Sequence, residues 1–188
     1  MKTETQQSLR GRHIAVLMTD GVEQIEYTAP REFLEQQGAE VTLISPKRKG
    51  EAVQGFNHLT PGNRFDVELD VRDARAGDFD ALVLPGGVAN PDNLRTNTTA
   101  ITFIREFARE NKPIAAIWLG PWRLIVAGIA KGKRLTSWPS LKQDLSNAGA
   151  QWVDETVVVD GKLVTSRKPD DLPAFNRALL NELSATRH

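Results

Sequence analysis

The four residues Ile114-Ala115-Ala116-Ile117 are apolar without a break, and the chain then passes through Gly120-Pro121 before apolar residues resume in Leu124, Ile125 and Val126. So short an uninterrupted run fits a strand covered on both faces, and the change of period fits a sharp turn into a helix starting at about Leu119. Pro121 suits the first turn of such a helix, where its missing N–H would have had no partner. A buried strand feeding directly into a helix predicts a sheet wrapped by helices. It also lifts one side chain at the strand's carboxyl end, beside a row of backbone N–H groups. That side chain is Trp118.

The rest of the chain repeats the alternation. Residues 13–18 are a near-continuous apolar run, residues 19–22 turn the chain, and from Glu23 onward Ile25, Ala29, Phe33 and Leu34 mark a helix that Gly38 stops. A second strand over 41–45 completes a βαβ unit. Glycine and proline at Gly50, Gly55, Pro61 and Gly62 break up the next stretch, where short strands near 52–56 and 65–71 are expected as an edge hairpin. Residues 80–84 form a further buried strand closing on Pro85-Gly86-Gly87, and 98–111 a helix capped by Thr98 or Thr99. The central helix is expected to end near Gly128. Beyond it come a short strand at 134–138, a helix over 141–148 and a hairpin over 157–165 turning at Asp160-Gly161. Asp170 or Asp171 is expected to cap a last helix with Pro173 in its first turn. Strands alternating with helices predict an α/β fold, its sheet mostly parallel with helices on both faces, plus one β-hairpin. Ligands of such sheets sit at the carboxyl ends of the strands, so the loops 19–23, 85–92 and 117–121 should converge on one crevice.

Composition removes several function classes. Lys plus Arg number 24 and Asp plus Glu number 24, so no net field draws nucleic acid or an anionic membrane. There is no cysteine, which excludes disulfides, thiolate metal sites and thiol catalysis. No apolar run approaches the roughly 20 residues of a membrane span. Residues 1–11 read as a flexible polar tail without the apolar core of a secretory signal, ahead of a single domain over 12–188, and a cytoplasmic location is expected.

Taken together, the three loops resemble the ThiJ/PfpI family, the intracellular-protease-like branch of the class I glutamine-amidotransferase fold. The resemblance rests on Asp20-Gly21-Val22-Glu23-Gln24-Ile25-Glu26, on Ala81-Leu82-Val83-Leu84-Pro85-Gly86-Gly87, and on Pro113 to Ile117 followed by Gly120-Pro121-Trp122. Leu135-Thr136-Ser137-Trp138-Pro139-Ser140 and the segment from Thr165 to Phe175 resemble a bacterial general stress protein subgroup. The resemblance implies a flavodoxin-like doubly wound fold, no cofactor, and a homodimer or hexamer. It also implies a reactive cysteine followed by histidine at the positions held here by Trp118 and Leu119. The family's glutamate beside the sulfur falls on Glu23, the acid that a neighbouring subunit supplies falls on Asp92, and the backbone oxyanion donors fall near Gly87 and Leu119.

The departure from that pattern decides the chemistry. Family mechanisms rest on a thiolate, whereas an indole carries only an N–H donor and does not ionise in the accessible range. Leu119 likewise removes the imidazole that could move a proton. The expectation is therefore a non-catalytic, homo-oligomeric stress-type protein that binds a small anion or a protein partner, or simply stabilises an assembly. The alternative is a hydrolase, glyoxalase or deglycase working through Glu23 and water. A flavin- or nucleotide-binding module would need a phosphate loop, and Gly86-Gly87 is neither a Walker A loop nor a dinucleotide fingerprint. Buried beside an indole, Glu23 should be protonated or hydrogen-bonded, with the Trp118 N–H as a candidate donor.

The remaining candidates read as structural. His13, His58 and His188 are scattered and predict no metal site. Trp122, Trp138 and Trp152 read as core or interface residues. Ser137 and Ser140 lack a visible base, and Asp154-Glu155 and Asp170-Asp171 read as a solvated turn and a cap.

Overall fold

The computed structural model describes residues 8–185. In chain order the first half comprises β1 (His13–Leu17), β2 (Val22–Glu23), α1 (Ile25–Gln36), β3 (Glu40–Ser45), β4 (Ala52–Asn57), β5 (Thr60–Asp66), β6 (Leu69–Asp70), β7 (Ala81–Leu84) and α2 (Ala89–Arg95). The second half comprises α3 (Thr98–Arg109), β8 (Ile114–Ile117), α4 (Trp122–Val126), β9 (Arg134–Leu135), α5 (Lys142–Asn147), β10 (Gln151–Trp152), β11 (Val157–Asp160), β12 (Leu163–Ser166) and α6 (Leu172–Ala185). Seven strands form the main sheet in the order β11-β12-β8-β7-β1-β3-β6. Only the β11–β12 pair is antiparallel. The expected doubly wound, flavodoxin-like α/β architecture is present.

Strand alternation divides the core into two layers. On β1, Ile14 and Val16 point into a layer with Leu34, Phe175 and Leu179 from α1 and α6. Ala15 and Leu17 point into the opposite layer with Ile104 and Phe107 from α3 and Leu124 from α4. Leu9 is also fully buried, and its N–H donates to the Gln37 carbonyl (2.9 Å). Packing therefore begins ahead of residue 12, where the sequence placed the start of the domain. The part of the expected tail that covers residues 1–7 lies outside the described residues.

Several local expectations are corrected. The first helix starts at Ile25, because Val22 and Glu23 pair with Gly55 and Phe56 as a strand. Consequently the 52–66 hairpin is not an edge of the main sheet. It builds a separate three-stranded sheet, β2-β4-β5, and Leu69–Asp70 alone joins β3. The stretch read as a loop after Gly87 contains α2. Only Arg134–Leu135 of the expected 134–138 strand pairs, with β10. The β11–β12 turn is shifted by one residue: Asp160 pairs with Leu163, leaving Gly161-Lys162 as the two-residue loop with Gly161 at φ +59°. Glycine first in the loop is the type II′ pattern. The carboxamide of Asn97, not a threonine, caps α3 by accepting the Ala100 N–H (2.9 Å). Asp171 accepts the Arg167 N–H (3.0 Å) and its guanidinium (3.0 and 3.1 Å), so it is an ion-pair anchor rather than a cap.

Candidate active site at the β8 elbow

The three loops converge as expected, and one buried amide side chain joins two of them. Asn90 accepts the Thr19 N–H (2.8 Å) and donates to the carbonyls of Pro85 and Gly86 (3.0 and 2.9 Å). At Gly87, φ is +100° and a Cβ would stand 2.3 Å from the Gly21 carbonyl oxygen, so only glycine lets the 85–92 loop approach the 19–23 loop this closely.

Trp118 follows β8 in the left-handed region, at φ +59°. A bulky residue there costs about 1–2 kcal/mol, so the surroundings must hold it. They do so through three hydrogen bonds: Trp118 N–H to Ser166 O (3.2 Å), Trp138 N–H to Trp118 O (3.0 Å), and Gly120 N–H to Ile117 O (2.8 Å). The elbow that presents a side chain at the head of the strand is thus intact although the side chain is an indole. α4 is shorter than expected, five residues starting at Trp122, so the case for an anion held by that helix's N-terminus is lost.

The half-buried indole contacts two other rings. His58 meets it edge-on from the β4–β5 turn (centroids 6.0 Å apart, planes at 70°), and Trp138 makes a second edge-on contact (6.1 Å, 64°). Beside His58 opens a cavity of about 380 Å³, walled chiefly by Phe56, Leu59, Val88 and Ala89. Leu59 and Val88 are largely exposed at its mouth.

Glu23 is buried, and both carboxylate oxygens accept the backbone N–H of His58 (3.0 and 3.3 Å). The expected contact with the Trp118 indole is therefore replaced by one with a hairpin that the sequence placed at a sheet edge. Leu119 is half-buried against the α3–α4 layer. Asp92 lies in the first turn of α2, half-exposed and ion-paired with Arg95 (2.7 Å), whose guanidinium covers the Trp122 ring at 4.1 Å. Ser137 is buried and fully engaged, donating to Trp138 O (2.8 Å) and accepting from the Trp152 indole N–H (3.0 Å). Ser140 is exposed. His13 stands at the far end of β1 beside Glu40, and His188 lies outside the described residues.

Two charged residues missed by the sequence reading lie under the elbow. Glu26 is fully buried and accepts the Gly86 N–H (2.8 Å), while its second oxygen has no partner. A methyl group placed on Gly86 would meet Glu26 Oε1 at 2.6 Å and Trp118 Cβ at 2.8 Å, so this carboxyl and position 118 both adjoin Gly86. Burial pushes Glu26 well above the ordinary carboxylate value; the Gly86 N–H opposes that, nearby Glu23 adds to it, and Arg123 opposes it. Arg123 is likewise fully buried, donating to the carbonyls of Leu17 (3.1 Å), Gly120 (3.4 Å) and Pro85. Burial lowers its pKa to about 9, with Glu26 opposing the fall. Glu26 was visible as the third acid of the 20–26 motif, three residues after Glu23. Arg123 gave a weaker signal: one cation in an otherwise apolar helical turn.

Among the described residues, no cluster of three or more His, Asp or Glu side chains forms a metal site, and no helix is long and apolar enough to cross a membrane.

Known proteins share this arrangement over nearly the whole chain. The DJ-1/PfpI family pattern matches residues 12–182. Protein/nucleic acid deglycase 2 of Escherichia coli is 42% identical over 175 residues, covering 93% of this chain and 99% of that protein. General stress protein 18 of Bacillus subtilis is 42% identical over 171 residues, covering 90% and 96%. Among solved structures, Drosophila melanogaster DJ-1beta superposes with a TM-score of 0.83 at 31% identity, covering 93% of this chain and 91% of its own. The elbow, the glycine turn at 86–87 and the strand order therefore have one explanation: the chain belongs to the DJ-1/PfpI family.

Proposed function

We propose that this chain is a stress-type member of the family in which the crevice binds without turning over, acting as a homo-oligomer in the cytoplasm. The observation that carries the reading is the indole of Trp118 on the family's elbow, with leucine beside it and no cysteine anywhere in the chain. Covalent catalysis needs an activated nucleophile, and an indole presents no atom that can attack a carbonyl. The mostly apolar cavity beside His58 favours a ligand or partner with an apolar face over the small anion that the sequence suggested. The exposed Leu59 and Val88 that line it favour burial of that rim against a second subunit, where Asp92 would meet the neighbour.

The catalytic alternative draws on the deglycase relative and would use Glu23 with a water. Against it, Glu23 is 4% exposed and both its oxygens already face the His58 N–H. Incubation of the purified protein with methylglyoxal decides between the two. Loss of substrate no faster than in buffer is expected; turnover that disappears in Glu23→Gln overturns the binding reading.

A further inference from the structure

At the opposite, amino end of β8, the paired residues Ile114 and Leu163 open onto a second cavity, of about 370 Å³. Its wall carries five cations, Arg105, Lys112, Lys131, Lys133 and Lys162, and among the described residues no carboxylate lines it. On a chain of zero net charge, that segregation in a concave site differs from an ordinary solvated face. Three of the five are already engaged. Arg105 donates to the carbonyls of Val126 and Ala127 (3.0 and 3.1 Å). Lys112 bonds Ala76 O (2.8 Å) and pairs with Glu110 (2.6 Å), and Lys162 lies 3.7 Å from Glu182. Lys131 and Lys133 have no ion-pair partner among the described residues. The Lys133 ammonium leans toward the Gly161-Lys162 turn, 3.9 Å from where a Cβ on Gly161 would stand. The carboxylate closest in sequence to that turn, Asp160, is occupied by the Arg134 N–H (2.8 Å). Between the cations, Ala127, Ile129 and Leu163 supply an apolar floor.

We infer that this cavity is a binding site for a small organic polyphosphate, its phosphates held between Lys131, Lys133 and Lys162 and its organic part on the apolar floor. Two ammonium groups without ion-pair partners on the same wall as a third ask for more than one negative charge, and the floor asks for more than an inorganic ion. The site is independent of the elbow, one strand length away, and needs no chemistry there.

Calorimetric titration of the full chain with ADP, pyrophosphate and adenosine tests it. ADP should bind, more tightly than pyrophosphate, and adenosine should not. Raising NaCl from about 50 mM to about 300 mM should weaken ADP severalfold. The double variant Lys131→Glu/Lys133→Glu should weaken ADP about tenfold or more, and Lys131→Gln/Lys133→Gln by less. Lys49→Glu/Arg64→Glu makes the same change in net charge on exposed residues far from the cavity, and should leave the affinity within about twofold. Absence of ADP binding, equal affinity for pyrophosphate, or equal losses in the near and distant charge reversals each overturn the inference.

Discussion

The two ends of β8 use the same scaffold in opposite ways. At the carboxyl end polar groups are mostly engaged: Asn90 joins two loops, Glu23 holds a hairpin, Arg123 binds three carbonyls, and aromatic edges occupy the space above the elbow. At the amino end five cations wall a cavity, and two of them, Lys131 and Lys133, have no ion-pair partner among the described residues. The difference teaches that the shape of the elbow does not depend on a reactive side chain being carried there. The hydrogen bonds that shape the elbow run through backbone atoms and through residues other than 118 and 119.

The largest effect should come from re-arming the carboxyl end. Trp118→Cys with Leu119→His gives the chain its only thiol, so labelling by iodoacetamide rises from none to one site per chain. If the elbow is as intact as its geometry, the thiol is also depressed below the free-cysteine pKa of about 8.5 and alkylates readily at pH 6.5. A folded variant whose thiol reacts no faster than a free peptide thiol breaks the comparison. ADP binding at the amino end should not respond, because the two ends share no partner.

Next in size is Arg123→Met. It strands the buried carbonyls of Leu17, Pro85 and Gly120. A loss of about 3 kcal/mol or more is expected in urea denaturation. A smaller effect separates Trp118→Gly from Trp118→Ala. Both remove the indole, but only glycine accepts φ +59° without strain, so the glycine variant should be the more stable by about 1–2 kcal/mol.

The smallest effect is a change of slope. The folded state holds the Glu26 proton more tightly than the unfolded chain does. Glu26 therefore supports stability below the ordinary value of 4.5, and that support is lost as pH rises from there toward the raised folded value. Glu26→Gln has no proton to lose, so its stability should fall less than that of the unmodified protein over the same range. Parallel profiles in thermal melts would show that the carboxyl is not held in its neutral form.

The main sheet was legible because each of its buried strands is a short apolar run ended by glycine, proline or a polar turn, as residues 14–17, 81–84 and 114–117 show. The small sheet was not, because β2 is two residues long and exists only through its pairing with Gly55 and Phe56. Trp118 and Leu119 stood out as departures from a pattern, and the elbow that carries Trp118 followed from the change of period. Glu26 and Arg123 stayed hidden for the opposite reason. An acid near a helix's start and an arginine in a helical turn are ordinary surface choices, and only the packing reveals that both are buried under the crevice.

The ring at position 118 also bears on how the elbow meets oxidants. Peroxide converts an exposed thiolate by stages into sulfenic, sulfinic and sulfonic acids, the later ones beyond ordinary repair. An elbow bearing carbon and an indole nitrogen offers no such ladder, so its contours should outlast the oxidising episodes that would silence a sulfur-bearing counterpart.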